Sequence, residues 1–139
     1  MIDMGTAKLI TRKPSRTYTI IGTPHYMAPE VLLNKGYTFY VDLWSLGVIL
    51  YEFMCGLVPF GEELEDPFEI YQEIVMSQSV DFPGYMKDPD AKRLIKQFLQ
   101  KVPEMRLGGS FAAIKANKWF DKGDFDWVRL SLVVVWLSD

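Results

Sequence analysis

The amino-acid sequence predicts a mainly α fold, and three observations carry that expectation. Two Asp-Pro pairs, Asp66-Pro67 and Asp88-Pro89, each open a run with apolar residues at helical spacing. The stretch Val41 to Met54 is apolar nearly all round and shows no clean alternation. Nothing in the 139 residues calls for a substantial sheet.

The first forty residues read as loop. Gly5, Pro14, Gly22, Pro24, Pro29 and Gly36 are spread too densely for one long helix. The polar, basic stretch from Ile10 to Arg16 reads as an exposed surface loop. Val41 to Met54 follows as a helix buried on most sides, with Asp42 in its first turn and Gly56 as its stop.

Asp66 and Asp88 each supply an N-cap carboxylate before a proline at the first helical position. In the helix after Asp66, Ile70, Tyr71, Ile74 and Val75 share one face. In the helix after Asp88, Leu94, Ile95, Phe98 and Leu99 do so. A shorter helix follows Ser110, with Phe111, Ile114 and Trp119 turned inward. Trp44, Trp119 and Phe120 read as core.

Composition narrows the function classes. Fifteen basic and 18 acidic residues leave a net charge of −3, which argues against nucleic acid as the main partner. An apolar fraction of 49% excludes a disordered tail. The single cysteine, Cys55, rules out an internal disulfide and points to a reducing, cytoplasmic compartment. The single histidine, His25, excludes a histidine metal cluster. The apolar runs are far short of the roughly 20 residues of a membrane span. Met1 to Met4 carries no signal-peptide pattern.

The chemistry lies in ordered motifs. Asp3-Met4-Gly5 is followed 18 residues after Gly5 by Thr23-Pro24, then by Ala28-Pro29-Glu30. Asp42-Leu43-Trp44-Ser45-Leu46-Gly47 begins 12 residues after Glu30. This order resembles the activation segment and lower helices of a eukaryotic protein kinase. Gly22 to Glu30 is similar to the AGC group of Ser/Thr kinases. Leu33 to Tyr37 and Lys118-Trp119-Phe120 are most similar to the cGMP-dependent kinases, with the cAMP-dependent kinases next. The resemblance covers residues 1–130 as a partial kinase domain, from the Asp-Met-Gly motif to the end of the C-terminal lobe.

The resemblance implies a transfer of the ATP γ-phosphate to serine or threonine of protein substrates, with Mg²⁺. It gives Asp3 the role of Mg²⁺ ligand, with Met4 standing where phenylalanine is usual. It makes Thr19 an activation-loop phosphorylation site and Lys8 a contact for that phosphate. Thr23 supports the catalytic aspartate and lysine of the family. Gly22, Pro24 and Tyr26 belong to the loop that receives the substrate, and Glu52 matches an acidic residue that pairs with a substrate arginine. His25 takes a place often held by glutamate; it reads equally as an ordinary surface residue. Glu30 and Arg106 match a structural ion pair, and Asp42 matches an aspartate that bonds the catalytic-loop backbone.

Several parts of that machinery are not among these residues. There is no Gly-rich loop, no Val-Ala-Ile-Lys lysine and no His-Arg-Asp loop. The expectation is therefore a chain that is inactive alone and binds neither ATP nor Mg²⁺ tightly. The part of a kinase that precedes Asp3 is its expected partner. Residues 131–139 depart from the family as an uncharged-to-acidic apolar tail, read as a gene-model artefact or as a real packing segment. Without the elements it normally meets, the helix from Val41 exposes apolar surface, so a marginal fold that dimerises or precipitates is expected. Two other readings stand beside the kinase part: a non-catalytic module that binds substrates or regulators, and a truncated gene model.

Overall fold

The computed structural model describes residues 5, 7, 16–19, 22–122 and 125–129. Among them the chain is mostly helical. The order is a 3-10 turn Pro24–Tyr26, α1 Pro29–Leu32, α2 Tyr40–Cys55, α3 Pro67–Met76, α4 Pro89–Phe98, a 3-10 stretch Pro103–Gly109, α5 Phe111–Lys115 and α6 Lys118–Asp121. The strand-like pairing described is one isolated antiparallel bridge, Thr17 to Tyr37.

Every helix start but that of α2, which has neither a capping side chain nor a first-turn proline, has a local cause. Prolines 24, 29, 67, 89 and 103 sit at first-turn positions, where a missing N–H costs nothing. Asp66 accepts from the Phe68 amide at 2.9 Å. Asp88 accepts from Asp90 and Ala91 at 2.9 and 3.2 Å. Ser110 caps α5 through the Ala113 amide at 3.1 Å. These side chains satisfy amides that the helix itself leaves unpaired.

α2 is the central element, and it packs on α4 through a small residue. A Cβ on Gly47 would stand 2.6 Å from Cβ of Phe98 and 2.9 Å from Cδ2 of Leu99. Only a glycine lets the two helices approach this closely. Around that contact Trp44, Val48, Tyr51, Ile70, Ile74 and Ile95 form one buried core. Leu94, Phe98, Leu107 and Ile114 form a second, beneath α4.

Three sequence expectations change. The first forty residues contain helical turns, because Pro24 and Pro29 start them rather than break them. The single helix after Ser110 is two, since the Asn117 side chain accepts from the Trp119 amide at 3.1 Å and starts α6. As expected, Trp119 and Phe120 pack against the core, though half-buried, and Trp44 is fully buried within it. The third change concerns α2. Its apolar surface is not buried on most sides: Leu46, Ile49 and Met54 are exposed, and Phe53 is 81% exposed. Asp3, Lys8, most of the 10–16 stretch and residues 131–139 lie outside the described residues, as does the side chain of Phe111.

Candidate functional site

A shelf and a buried ion pair bring together most of the described candidates. The shelf is the turn at Pro24–Tyr26, with Gly22 and Thr23 exposed just before it. It is held at three points. The Tyr26 hydroxyl donates to Oε2 of Glu52 at 2.7 Å, which joins the turn to the last third of α2. The Tyr26 carbonyl accepts from Oγ of Ser45 at 3.0 Å. His25 Nε2, assigned as the donor, meets the Gly61 carbonyl at 3.1 Å.

The Tyr26–Glu52 bond gives the carboxylate on an otherwise apolar helix the partner it needs. It also raises the Tyr26 pKa, because the bond to Glu52 favours the phenol and partial burial adds to it. The Glu62 charge acts in the same direction, so this loop lies within electrostatic reach of the shelf. Glu62 itself accepts from the Val58 amide at 2.7 Å.

Beneath the shelf, Glu30 and Arg106 are joined by two parallel bonds, at 2.6 and 2.7 Å. Arg106 is fully buried, and Glu30 is buried too. Arg106 also donates to the carbonyls of Gln100 at 2.8 Å and Tyr40 at 2.9 Å. Its guanidinium lies 5.2 Å from the centroid of the Trp44 ring. Four bonds therefore satisfy a charge that water cannot reach.

The remaining candidates stand apart. Thr19 is exposed, and its carbonyl accepts from the Tyr37 hydroxyl at 2.8 Å. The Thr17–Tyr37 bridge holds the same segment. Asp42 is exposed on the first turn of α2 and bonds no donor through its carboxylate among the described residues. Crowding around that carboxyl still raises its pKa. Sequence reasoning named Tyr26, Glu52 and His25 without pairing them. It gave no role to Ser45, whose hydroxyl donates to the backbone carbonyl of Tyr26, or to Gly61, which offers only its own carbonyl; a bond to a backbone oxygen names no partner residue type in the sequence.

Chemically the arrangement is a half-buried carboxylate beside a half-buried turn, set over a buried ion pair. Among the described residues no group of three acidic, histidine or cysteine side chains could hold a metal ion. The metal ligand that the resemblance implies, Asp3, lies outside them.

Comparison with known proteins decides the family. The family of protein kinase domains matches residues 1–120. The chain belongs to the protein kinase domain family. This kinase chain is 49% identical over 134 residues to a cGMP-dependent protein kinase of Toxoplasma gondii, covering 94% of the chain and 13% of that protein. It is 50% identical to a cGMP-dependent protein kinase of Plasmodium berghei (strain Anka), covering 94% of the chain and 15% of that protein. It is 44% identical over 131 residues to the serine/threonine-protein kinase gad8 of Schizosaccharomyces pombe, covering 94% of the chain and 22% of that protein. The kinase chain thus spans 13–15% of the length of those cGMP-dependent relatives. The mainly helical architecture is that of the activation segment and lower helices of a kinase C-terminal lobe. No helix among the described residues is long and apolar enough to cross a membrane.

Proposed function

We propose that these residues are the substrate-facing part of an AGC-type Ser/Thr kinase of the cGMP-dependent kind. In that reading ATP and Mg²⁺ serve the whole kinase, and Asp3 is one Mg²⁺ ligand. Thr19 takes an activating phosphate, with Lys8 as a contact for it. Thr23 supports the catalytic aspartate. Gly22, Pro24, Tyr26 and Glu52 receive a substrate peptide that carries a basic residue. Asp42 anchors the catalytic loop, and Glu30 with Arg106 braces the segment. The single cysteine supports a cytoplasmic setting.

The observation that carries this reading is the Tyr26–Glu52 bond of 2.7 Å. It fixes a carboxylate beside the turn where a basic peptide would lie. A charged acceptor held by one neutral donor keeps lone pairs for a guanidinium.

The 139 residues by themselves do not transfer phosphate in this proposal, because a kinase must position ATP, metal and hydroxyl together. Radiolabelled ATP, Mg²⁺ and an arginine-containing serine peptide give no signal above blank with the purified chain. The same peptide is phosphorylated when the chain is expressed joined to a kinase segment bearing the Gly-rich, lysine and His-Arg-Asp elements. Turnover by the purified chain alone sinks the proposal. A second reading, a non-catalytic peptide-binding module, is favoured by one fact: the three bonds that hold the shelf all lie within this chain. Binding of that peptide by the isolated chain, lost in Glu52→Gln, supports the second reading.

A further inference from the structure

The turn that follows α1 grips residues 16–19 along their whole length. The Thr17 amide donates to the Tyr37 carbonyl at 3.0 Å, and the Tyr37 amide donates back to the Thr17 carbonyl at 2.9 Å. Arg16 donates to the Lys35 carbonyl at 2.9 Å. The Tyr37 hydroxyl donates to the Thr19 carbonyl at 2.8 Å. The Tyr18 ring lies so close to Gly36 that a Cβ there would stand 2.8 Å from its Cζ. Gly36 has a φ of +72°, so the turn and the ring both call for glycine at that position. Thr17 is only 5% exposed, whereas Thr19 next to it but one is open to solvent.

The turn has its own anchor. The Lys35 amide donates to the Glu30 carbonyl at 3.1 Å, and the Asn34 amide donates to the Val31 carbonyl at 3.1 Å. Glu30 is the residue whose carboxylate Arg106 holds in the core. Residues 16–19 therefore hang from a buried point and not from a free loop. Every acceptor in the grip is a neutral backbone carbonyl. A phosphate orders a loop by drawing cations to its oxygens, and none of these bonds needs one.

We infer that Tyr37, together with Gly36, clips residues 16–19 of the activation segment in place before any phosphate is added, leaving the Thr19 side chain presented to solvent. An enzyme that modifies Thr19 would meet it on an ordered support. The clip takes the Thr19 carbonyl, so it stands whether or not the Thr19 hydroxyl is the site of phosphorylation.

Amide hydrogen exchange of the full chain, shown by its intact mass to carry no phosphate, tests the clip when read residue by residue by NMR. The Thr17 and Tyr37 amides should exchange roughly tenfold or more slowly than in an unfolded chain. Tyr37→Phe removes one donor and should speed exchange at Thr17 about fivefold. Tyr18→Ala takes the ring off Gly36, leaves the turn as it is, and should act in the same direction. The α4 amides from Leu94 to Phe98 should keep their parent rates in both variants. Thr19→Ala keeps the carbonyl and should keep the protection. The clip is disproved if the Thr17 amide of the unphosphorylated parent exchanges as in an unfolded chain, or if Tyr37→Phe and Tyr18→Ala both leave its rate unchanged. It is equally disproved if the α4 amides speed up in step, since the contacts would then serve the whole fold. Loss of protection in Thr19→Ala also overturns it, because the hydroxyl and not the carbonyl would then be the group that is held.

Discussion

Arg106 closes a two-pronged bond on Glu30 although 76 positions separate them in the chain. The pair ties the end of the activation segment to the turn after α4. Arg106→Met leaves the Glu30 carboxylate buried without its partner, and the expected loss of stability is about 3–5 kcal/mol. Adding Glu30→Met should recover part of that loss, because the orphaned charge goes with it. Urea unfolding of the parent, the two single variants and the double variant measures the cycle. Losses that simply add would show that the two side chains do not stabilise each other.

Tyr26 offers a second test, this time of the shelf. Tyr26→Phe removes the donor to Glu52, and the expected loss is about 1–3 kcal/mol for a bond to a charged group. The bond also sets a pH window. The folded pKa of Tyr26 is raised above its unfolded value of 10.0, so the unfolded chain loses that proton first. This contribution to stability is complete below pH 10 and is lost as pH rises through the folded pKa. Ultraviolet titration of the phenols should show Tyr26 ionising late alongside Tyr51, whose pKa burial pushes up to about 12, and only the Tyr26 step should move down in Glu52→Gln. An unchanged titration in that variant would contradict the bond.

Gly47 sets how closely α2 and α4 approach. Alanine there favours an isolated helix by about 1 kcal/mol, but its Cβ would collide with the Cβ of Phe98. The backbone of α4 cannot swing aside as a flexible side-chain tip could, so Gly47→Ala should destabilise by about 1–3 kcal/mol net. A thermal midpoint equal to or above that of the parent would mean that the helices have room to part.

The exposed face of α2 bears on association. Phe53 stands 81% exposed, with Leu46 and Ile49 on the same helix also exposed. A cluster of that kind favours self-association. Phe53→Ser should shift sedimentation toward the monomer while changing stability by no more than about 0.5 kcal/mol, as for an ordinary surface position. If the parent sediments as Phe53→Ser does, whether as monomer or as oligomer, this face does not drive association.

Much of the fold was legible because its signals are local. Asp66-Pro67 and Asp88-Pro89 announce helix starts with a cap and a preset φ, and both caps form. Asn117 escaped notice because it sits inside an otherwise helical pattern, and only its own side-chain bond reveals the break. The one-sided exposure of α2 was legible only in part. Hydropathy tells how apolar a helix is, while the neighbours present decide which face is covered. At the shelf, residue types pointed to the right region. The pairings did not show, because Tyr26 and Glu52 meet across 26 positions and His25 meets a backbone oxygen.

The long span between Glu30 and Arg106 also has a meaning in time. A ribosome adding 5–20 residues per second needs about 4–15 s to advance the 76 positions from Glu30 to Arg106. For that interval the Glu30 carboxylate has left the ribosome's catalytic centre while its guanidinium does not yet exist. The capped helices α3 and α4 are made within the same interval, from contacts close in sequence. The activation segment of a nascent chain therefore waits for its brace, and a ribosome stalled between α4 and Arg106 would leave behind a chain with folded pieces and an unanchored segment.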